Sequence, residues 1–171
     1  MKKHLAVAFA LIFFISTSSQ ATTVERLTLD ALVKKASSIV VGKVMNSRTY
    51  WSDNRKLILT SYIFAVQETI KGQPGPTIEL TTIGGTVGDV TLHVAGMPMF
   101  EKDEDAVVFV ERSGAFSTVV GLSQGKFALA NGEVINNMTD LEFPDGREAK
   151  PLRMPLQSFK SRIKVLLTSQ P

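Results

Sequence analysis

Between Ser38 and Ile135 the chain is a series of β-branched and apolar runs at close spacing, each stopped by glycine, proline or asparagine, and helical periods stand only at its two ends. Runs of this composition pair as strands. Ala106-Val107-Val108-Phe109-Val110-Glu111 is the clearest buried strand. Ser38 to Met45 is apolar on both faces with Gly42 inside it, which predicts a long strand that bends, and Asp53-Asn54-Arg55 supplies the turn after it. Leu57 to Ile70 alternates Ile58, Thr60, Tyr62, Phe64 and Val66 against Leu59, Ser61, Ile63, Ala65 and Gln67. Its first half is apolar on both sides and its second half more polar, as in a strand that curls around a small barrel. Beyond the breaker cluster Lys71 to Pro76 a strand is predicted over Thr77 to Ile83, then a weak one over Val90 to Val94, past Gly84-Gly85 and Gly88. Short strands follow over Phe116 to Leu122, Lys126 to Ala130 and Glu133 to Ile135, with Asn131-Gly132 as a hairpin turn. The pattern predicts a mainly β domain, a small, partly closed antiparallel β-barrel with a short helix before it and another after it.

The first helix is read from Leu29, Leu32, Val33 and Ala36, which share one face at three-four spacing behind Thr28 as N-cap. The second is read over 156–168, where Leu156, Phe159, Ile163, Leu166 and Leu167 mark one face and Gln157, Lys160, Ser161 and Lys164 the other. An amphipathic helix of this kind is expected to bury its stripe on its own domain, here on the barrel of 22–135. Asn136 to Pro155 is polar, carries a Pro144-Asp145-Gly146 turn and shows no period, so 136–155 reads as a connecting loop. There is no internal repeat.

The N-terminus has a different character. Lys2 and Lys3 precede eleven apolar residues, Leu5 to Ile15, and then Ser16 to Ala21, with small side chains at Ser19 and Ala21. This is the order of a secretory signal, with cleavage expected after Ala21. A retained span would need about 20 apolar residues, so no stable membrane span is expected. Cleavage removes two lysines, so 17 basic residues then face 16 acidic ones and the formal charge falls from +3 to +1. The expected product is a 150-residue domain, periplasmic or secreted. The chain has no cysteine, which excludes lipidation behind the apolar run and a disulfide framework. A domain of this size buries about 68–70% of its unfolded surface and needs no such staples. The composition also excludes disordered, collagen-like and multi-span classes.

Ala36 to Val44, the strand ending Val66-Gln67-Glu68-Thr69-Ile70-Lys71-Gly72, Gly84-Gly85, and Phe100 with Asp105 to Val110 together resemble the netrin-like domains of the OB-fold, a group that includes the tissue inhibitors of metalloproteinases. The stretch Val119 to Phe127 is similar to uncharacterised secreted bacterial proteins of the same shape. The resemblance spans about 36 to 130 and implies an OB-like, netrin-like antiparallel barrel. The inhibitors chelate zinc through an N-terminal cysteine, whereas this chain starts, once cleaved, at Thr22 and has no cysteine, so that mechanism is not carried over.

Candidate chemistry is sparse. His93 is the only histidine after cleavage, and neither HExxH nor Gly-x-Ser-x-Gly is present to give it partners, so it is expected on a strand surface. Gly84-Gly85-Thr86-Val87-Gly88 has the glycine content of a phosphate loop, but a strand rather than a helix is predicted behind it, which favours a bulge or corner. Glu101, Asp103, Glu104 and Asp105 lack calcium-loop spacing and read as a solvated acidic turn guarding the strand that follows. Tyr50 and the only tryptophan, Trp51, close the first long strand beside the turn that holds Arg55. On an OB-like barrel that loop is a recurrent binding rim, so Tyr50, Trp51 and Arg55 are the candidate ligand-binding residues, with a hydrophobic plug as the competing reading of the two aromatics. Asn137-Met138-Thr139 is a glycosylation sequon by pattern only.

These observations predict an exported, non-enzymatic binding or interaction module without cofactor or metal, whose partner is a secreted protein or a cell-envelope glycan. Nucleic acid is not expected, because a nearly neutral domain releases few counterions. The alternatives are a small extracellular hydrolase using His93 or an acid pair, and a structural accessory docked through its terminal helix.

Overall fold

The computed structural model describes residues 22–148 and 150–169, and the signal segment expected over 1–21 lies outside the described residues. In chain order these residues form β1 (Thr22–Thr23), α1 (Leu29–Lys35), β2 (Ser38–Trp51), β3 (Ile58–Lys71), β4 (Thr77–Ile83), β5 (Gly85–Val87), β6 (Val90–Leu92) and β7 (Asp105–Ser113). Then come β8 (Phe116–Val119), a 3-10 turn at Leu122–Gly125, β9 (Lys126–Ala130), β10 (Glu133–Ile135), β11 (Leu141–Glu142), β12 (Arg153–Pro155) and α2 (Leu156–Thr168). The described residues are mainly β, with two helices.

β2 and β3 form a long antiparallel hairpin, in register from Trp51 opposite Ile58 back to Ile39 opposite Lys71, with three irregularities on the way. One of them falls between Val41 and Gly42. A Cβ on Gly42 would lie 2.7 Å from the Ala65 carbonyl oxygen, so the two backbones come closer here than any other residue permits, and the strand bends. The sheet continues in the order β12-β10-β9-β7-β2-β3-β4, and β8 pairs with the far half of β7. Every pairing within it is antiparallel.

The partly closed barrel expected from sequence is an open sheet. It curls until β8 lies alongside β4, but no ladder joins these two strands. Both strands end at turns that take them away from the seam. β4 runs into Gly84 and Gly85, each at φ +123, and leaves as the β5–β6 hairpin. β8 is only four residues long and is followed, after Val120, by Gly121 and Leu122 at φ +63 and +60, which turn the chain into the 3-10 segment. Gly85 cannot be replaced without displacement, because its Cβ would lie 2.5 Å from Thr60 Oγ1 and 2.6 Å from Thr49 Cγ2.

Around Ile39–Val44 of β2 and Ala106–Val110 of β7 both faces of the sheet are buried, which is why these stretches read as apolar on both sides. Successive residues point to opposite faces. Ile39, Val41, Val107 and Phe109 therefore join Leu32, Val33, Phe127, Phe159 and Ile163 under the two helices. Val40, Val44, Val108 and Val110 fill the inside of the curl with Tyr62, Phe64, Leu80, Phe100 and Val119. Phe100 meets Tyr62 and Phe64 edge-on, at centroid distances of 5.0 and 4.9 Å. Burying each such ring stabilises the fold by roughly 1.5–3 kcal/mol.

The helices follow their local signals. The Thr28 hydroxyl accepts from the Ala31 N–H at 3.2 Å and caps α1. α2 sends Phe159 and Ile163, both fully buried, into the helix-side core. The segment 136–155, expected as a connecting loop, holds two short strands: β12 extends the sheet beyond β10, and β11 pairs in parallel with β1. A small core of Met138, Leu141 and Phe143, with Val24 and Leu122 against it, anchors that segment. Two buried amides organise its surroundings. Gln124 accepts from Leu27 N–H at 2.8 Å and donates to the Glu25 carbonyl at 3.0 Å, and Asn136 accepts from Leu152 N–H at 2.7 Å.

Candidate functional site

The tip of the β2–β3 hairpin leans toward β8 where the seam with β4 stays open, and a groove of about 840 Å³ lies there. This falls within the roughly 300–1,000 Å³ of clefts that hold ligands. One wall is set by register. Tyr50 stands opposite Leu59, and Leu59 opposite Ile83, so these three side chains form a row on one face, and all three line the groove. Phe116 and Val119 of β8, Met97 and Leu122 supply apolar surface across from them. At the lips Phe116 is 46% exposed and Leu57 41%.

The polar groups of the groove are few. Among the described residues, Asp53 and Glu111 are the only charged ones that line it, and neither forms an ion pair. Thr81 and Thr82 line it at 7% and 4% exposure, and among the described residues their hydroxyls have no hydrogen-bond partner. Buried hydroxyls without partners are uncommon in finished cores.

The three candidate residues do not converge. Tyr50 is half-buried in the groove wall, with the Arg48 guanidinium 4.8 Å from its ring centroid. Trp51 pairs with Ile58 on the opposite face, is 36% exposed, and is not part of the groove lining. Arg55 occupies the turn at φ +55, with its N–H donating to the Ser52 carbonyl at 2.7 Å, and is also outside the lining. Sequence reasoning missed Glu111, Phe116 and the two threonines. Phe116 carried a weak signal, as an aromatic opening a short strand straight after a Gly-Ala turn.

His93 lies exposed just beyond the end of β6, at the edge of a second cavity of about 450 Å³ that Ser123 and Asp140 also line. Among the described residues its imidazole makes no hydrogen bond, so nothing aligns it with that serine or that aspartate for nucleophilic chemistry.

The acidic turn is fastened rather than open. Asp103 N–H donates to the Val44 carbonyl at 2.9 Å, Lys43 reaches Asp105 at 3.0 Å, and Lys126 reaches Glu104 at 2.7 Å. Among the described residues no cluster of acids and histidines could hold a metal ion. Gly84-Gly85 forms a corner whose Gly84 carbonyl accepts from Thr60 Oγ1 at 2.6 Å. The apolar stripe of α2 is spent on its own core. Compared with known proteins, the chain matches no family model, no curated protein and no solved structure.

Proposed function

We propose that the protein is an exported, non-enzymatic binding module that holds its partner, a secreted protein segment or a cell-envelope glycan, in the groove between the hairpin tip, β4 and β8. The observation that carries this reading is the groove itself: an apolar wall of Tyr50, Leu59 and Ile83 with buried, unpartnered threonine hydroxyls beside it. Ligand sites combine these features, mostly apolar surface with a few convergent polar groups. Export is supported by the order of Lys2-Lys3, the Leu5–Ile15 run and the small residues up to Ala21. Kinship with netrin-like OB folds is part of the proposal; most of its motif residues fall on β2, β3 and β7, while Gly84-Gly85 lie at the corner between β4 and β5 and Phe100 lies in the loop before β7.

The test is calorimetric titration of the cleaved protein with panels of cell-envelope glycans and of peptides from secreted proteins. The reading expects at least one saturable ligand whose affinity falls about tenfold or more in Tyr50→Ala, the loss typical of a central aromatic contact. Silence of both panels, or binding indifferent to Tyr50→Ala and to Ile83→Ser, would overturn it.

A further inference from the structure

We infer that the loop between β6 and β7 carries a copper(I) site, formed by the thioethers of Met97 and Met99 and the imidazole of His93. The site opens into the second cavity rather than the groove, and it stands whatever the groove holds.

His93, Met97 and Met99 all line that cavity of about 450 Å³. They come together because the chain reverses between them. The Met97 N–H donates to the Val94 carbonyl at 3.1 Å and closes a four-residue turn with Gly96 at φ +74, and such a turn holds its ends within about 7 Å of each other. The turn is fixed to the body of the domain: the Gly96 carbonyl accepts from the Ser123 N–H at 3.0 Å, and a Cβ on Gly96 would run into the Leu141 side chain. Beyond the turn burial alternates, with Pro98 and Phe100 buried, Met97 half-buried and Met99 exposed, so the two methionines share the outward side. Lys126 holds this stretch by donating to the Met99 carbonyl, and Glu104 at 2.7 Å counters its charge, which lessens the repulsion a bound cation would feel.

Packing does not account for these side chains. Met99 is 67% exposed, more than any other large apolar residue among the described ones. The exposed His93 imidazole makes no hydrogen bond among the described residues, so a ring nitrogen is available to a ligand. The donor set selects the ion. Thioether sulfur is soft and uncharged, and two thioethers with a neutral imidazole suit copper(I), whereas calcium and magnesium require oxygen ligands and zinc takes thiolate, imidazole or carboxylate. The chain has no cysteine, and among the described residues no group of three histidines and acids offers the harder set. The expectation of a metal-free module drew on cysteine, histidine and acid patterns, and thioethers escape all three.

The test is an NMR titration of the cleaved protein, labelled in its methionine methyl groups, with silver(I) as the redox-inert mimic of copper(I). The Met97 and Met99 signals should shift and saturate with a single ion, while those of Met45, Met138 and Met154 stay in place. Copper(I) affinity is then read by competition with a chromophoric chelator under ascorbate. Met99→Leu and His93→Asn, both at exposed positions, should each weaken it about tenfold or more, at least the loss that follows from disturbing residues behind a metal ligand. Met45→Leu, which removes an exposed thioether elsewhere, should leave it unchanged, as should Tyr50→Ala and an excess of zinc. Absence of methyl shifts, shifts at Met45 as large as those at Met97 and Met99, or equal copper(I) affinity in the native protein and the Met99→Leu/His93→Asn double variant overturns the site.

Discussion

Lys126 Nζ lies 2.7 Å from Glu104 Oε1, with both side chains more than four-fifths buried. The same ammonium sits 4.4 Å from the centroid of the Phe100 ring and donates to the Met99 carbonyl, while Glu104 also accepts from the Glu101 N–H at 2.9 Å. One ion pair thus fastens the 99–105 turn onto β9, and a turn rich in acids becomes a structural clasp. Removing one partner of such a pair leaves an uncompensated charge and costs about 3 kcal/mol. Lys126→Met should therefore lower stability by that amount in urea unfolding, and adding Glu104→Gln should recover part of it, a coupling that a double-mutant cycle reads directly. Calcium at millimolar concentration should leave the melting temperature of the native protein unchanged.

Phe159 is the side chain through which α2 belongs to the domain. It is fully buried, 4.6 Å from the Phe127 ring centroid and 6.2 Å from that of Phe109. Phe159→Ala should cost about 3–5 kcal/mol. Truncation after Pro155 should abolish the cooperative thermal transition, because it uncovers the apolar face formed by Ile39, Val41, Phe109 and Val134. A truncated chain that melted like the intact one would show that α2 is available to an outside partner.

Asp145 ties the 143–147 turn to the chain segment before α1. The Arg147 N–H and the Arg26 guanidinium both donate to its carboxylate, at 3.0 and 3.3 Å, and together they hold its pKa below the ordinary 3.8, the backbone bond contributing most. A carboxyl whose folded pKa lies below its unfolded one contributes stability above about pH 3.8, and that contribution disappears as pH falls through the folded value. An NMR titration should therefore place the Asp145 midpoint below 3.8, and Arg26→Ala should move it part of the way back. A midpoint unchanged by Arg26→Ala would assign the whole shift to the backbone.

Some of this structure is legible in local sequence. Thr28 before a three-four apolar spacing gave α1 and its cap, and Asn131-Gly132 gave the two-residue turn that sets Ala130 opposite Glu133, both turn residues having positive φ. The burial of both sheet faces showed in the apolar residues on both sides of Ser38 to Met45. The open seam did not show, since it depends on where β4 and β8 stop relative to each other in space, and no local period encodes that. The same holds for the groove, whose Tyr50, Glu111 and Leu122 are brought together only by the curl of the sheet. β11 and β12 are too short for any pattern to rise above a polar background; β11 is held by the small core of Met138, Leu141 and Phe143, and β12 by its ladder with β10 and by Met154 against the helix-side core, rather than by propensity.

The divergence of Tyr50 and Trp51 was readable, because neighbours on a strand cannot share a face. It yields the most discriminating experiment on the hairpin tip. Tyr50 lies in the row with Leu59 and Ile83, and Trp51 lies opposite Ile58 on the other side. A ligand seated in the groove contacts the first ring and not the second. Tyr50→Ala should weaken binding about tenfold or more, whereas Trp51→Ala should change the dissociation constant by less than about twofold, both measured calorimetrically. Because Trp51 is the only tryptophan, its emission serves as a control: groove occupancy should leave the emission maximum in place, and a ligand-induced blue shift would mean that the ligand binds the Trp51 face. The two variants together decide which face of the hairpin is used, since a loss confined to Trp51→Ala would move the site from the seam to the Ile58 side of the sheet.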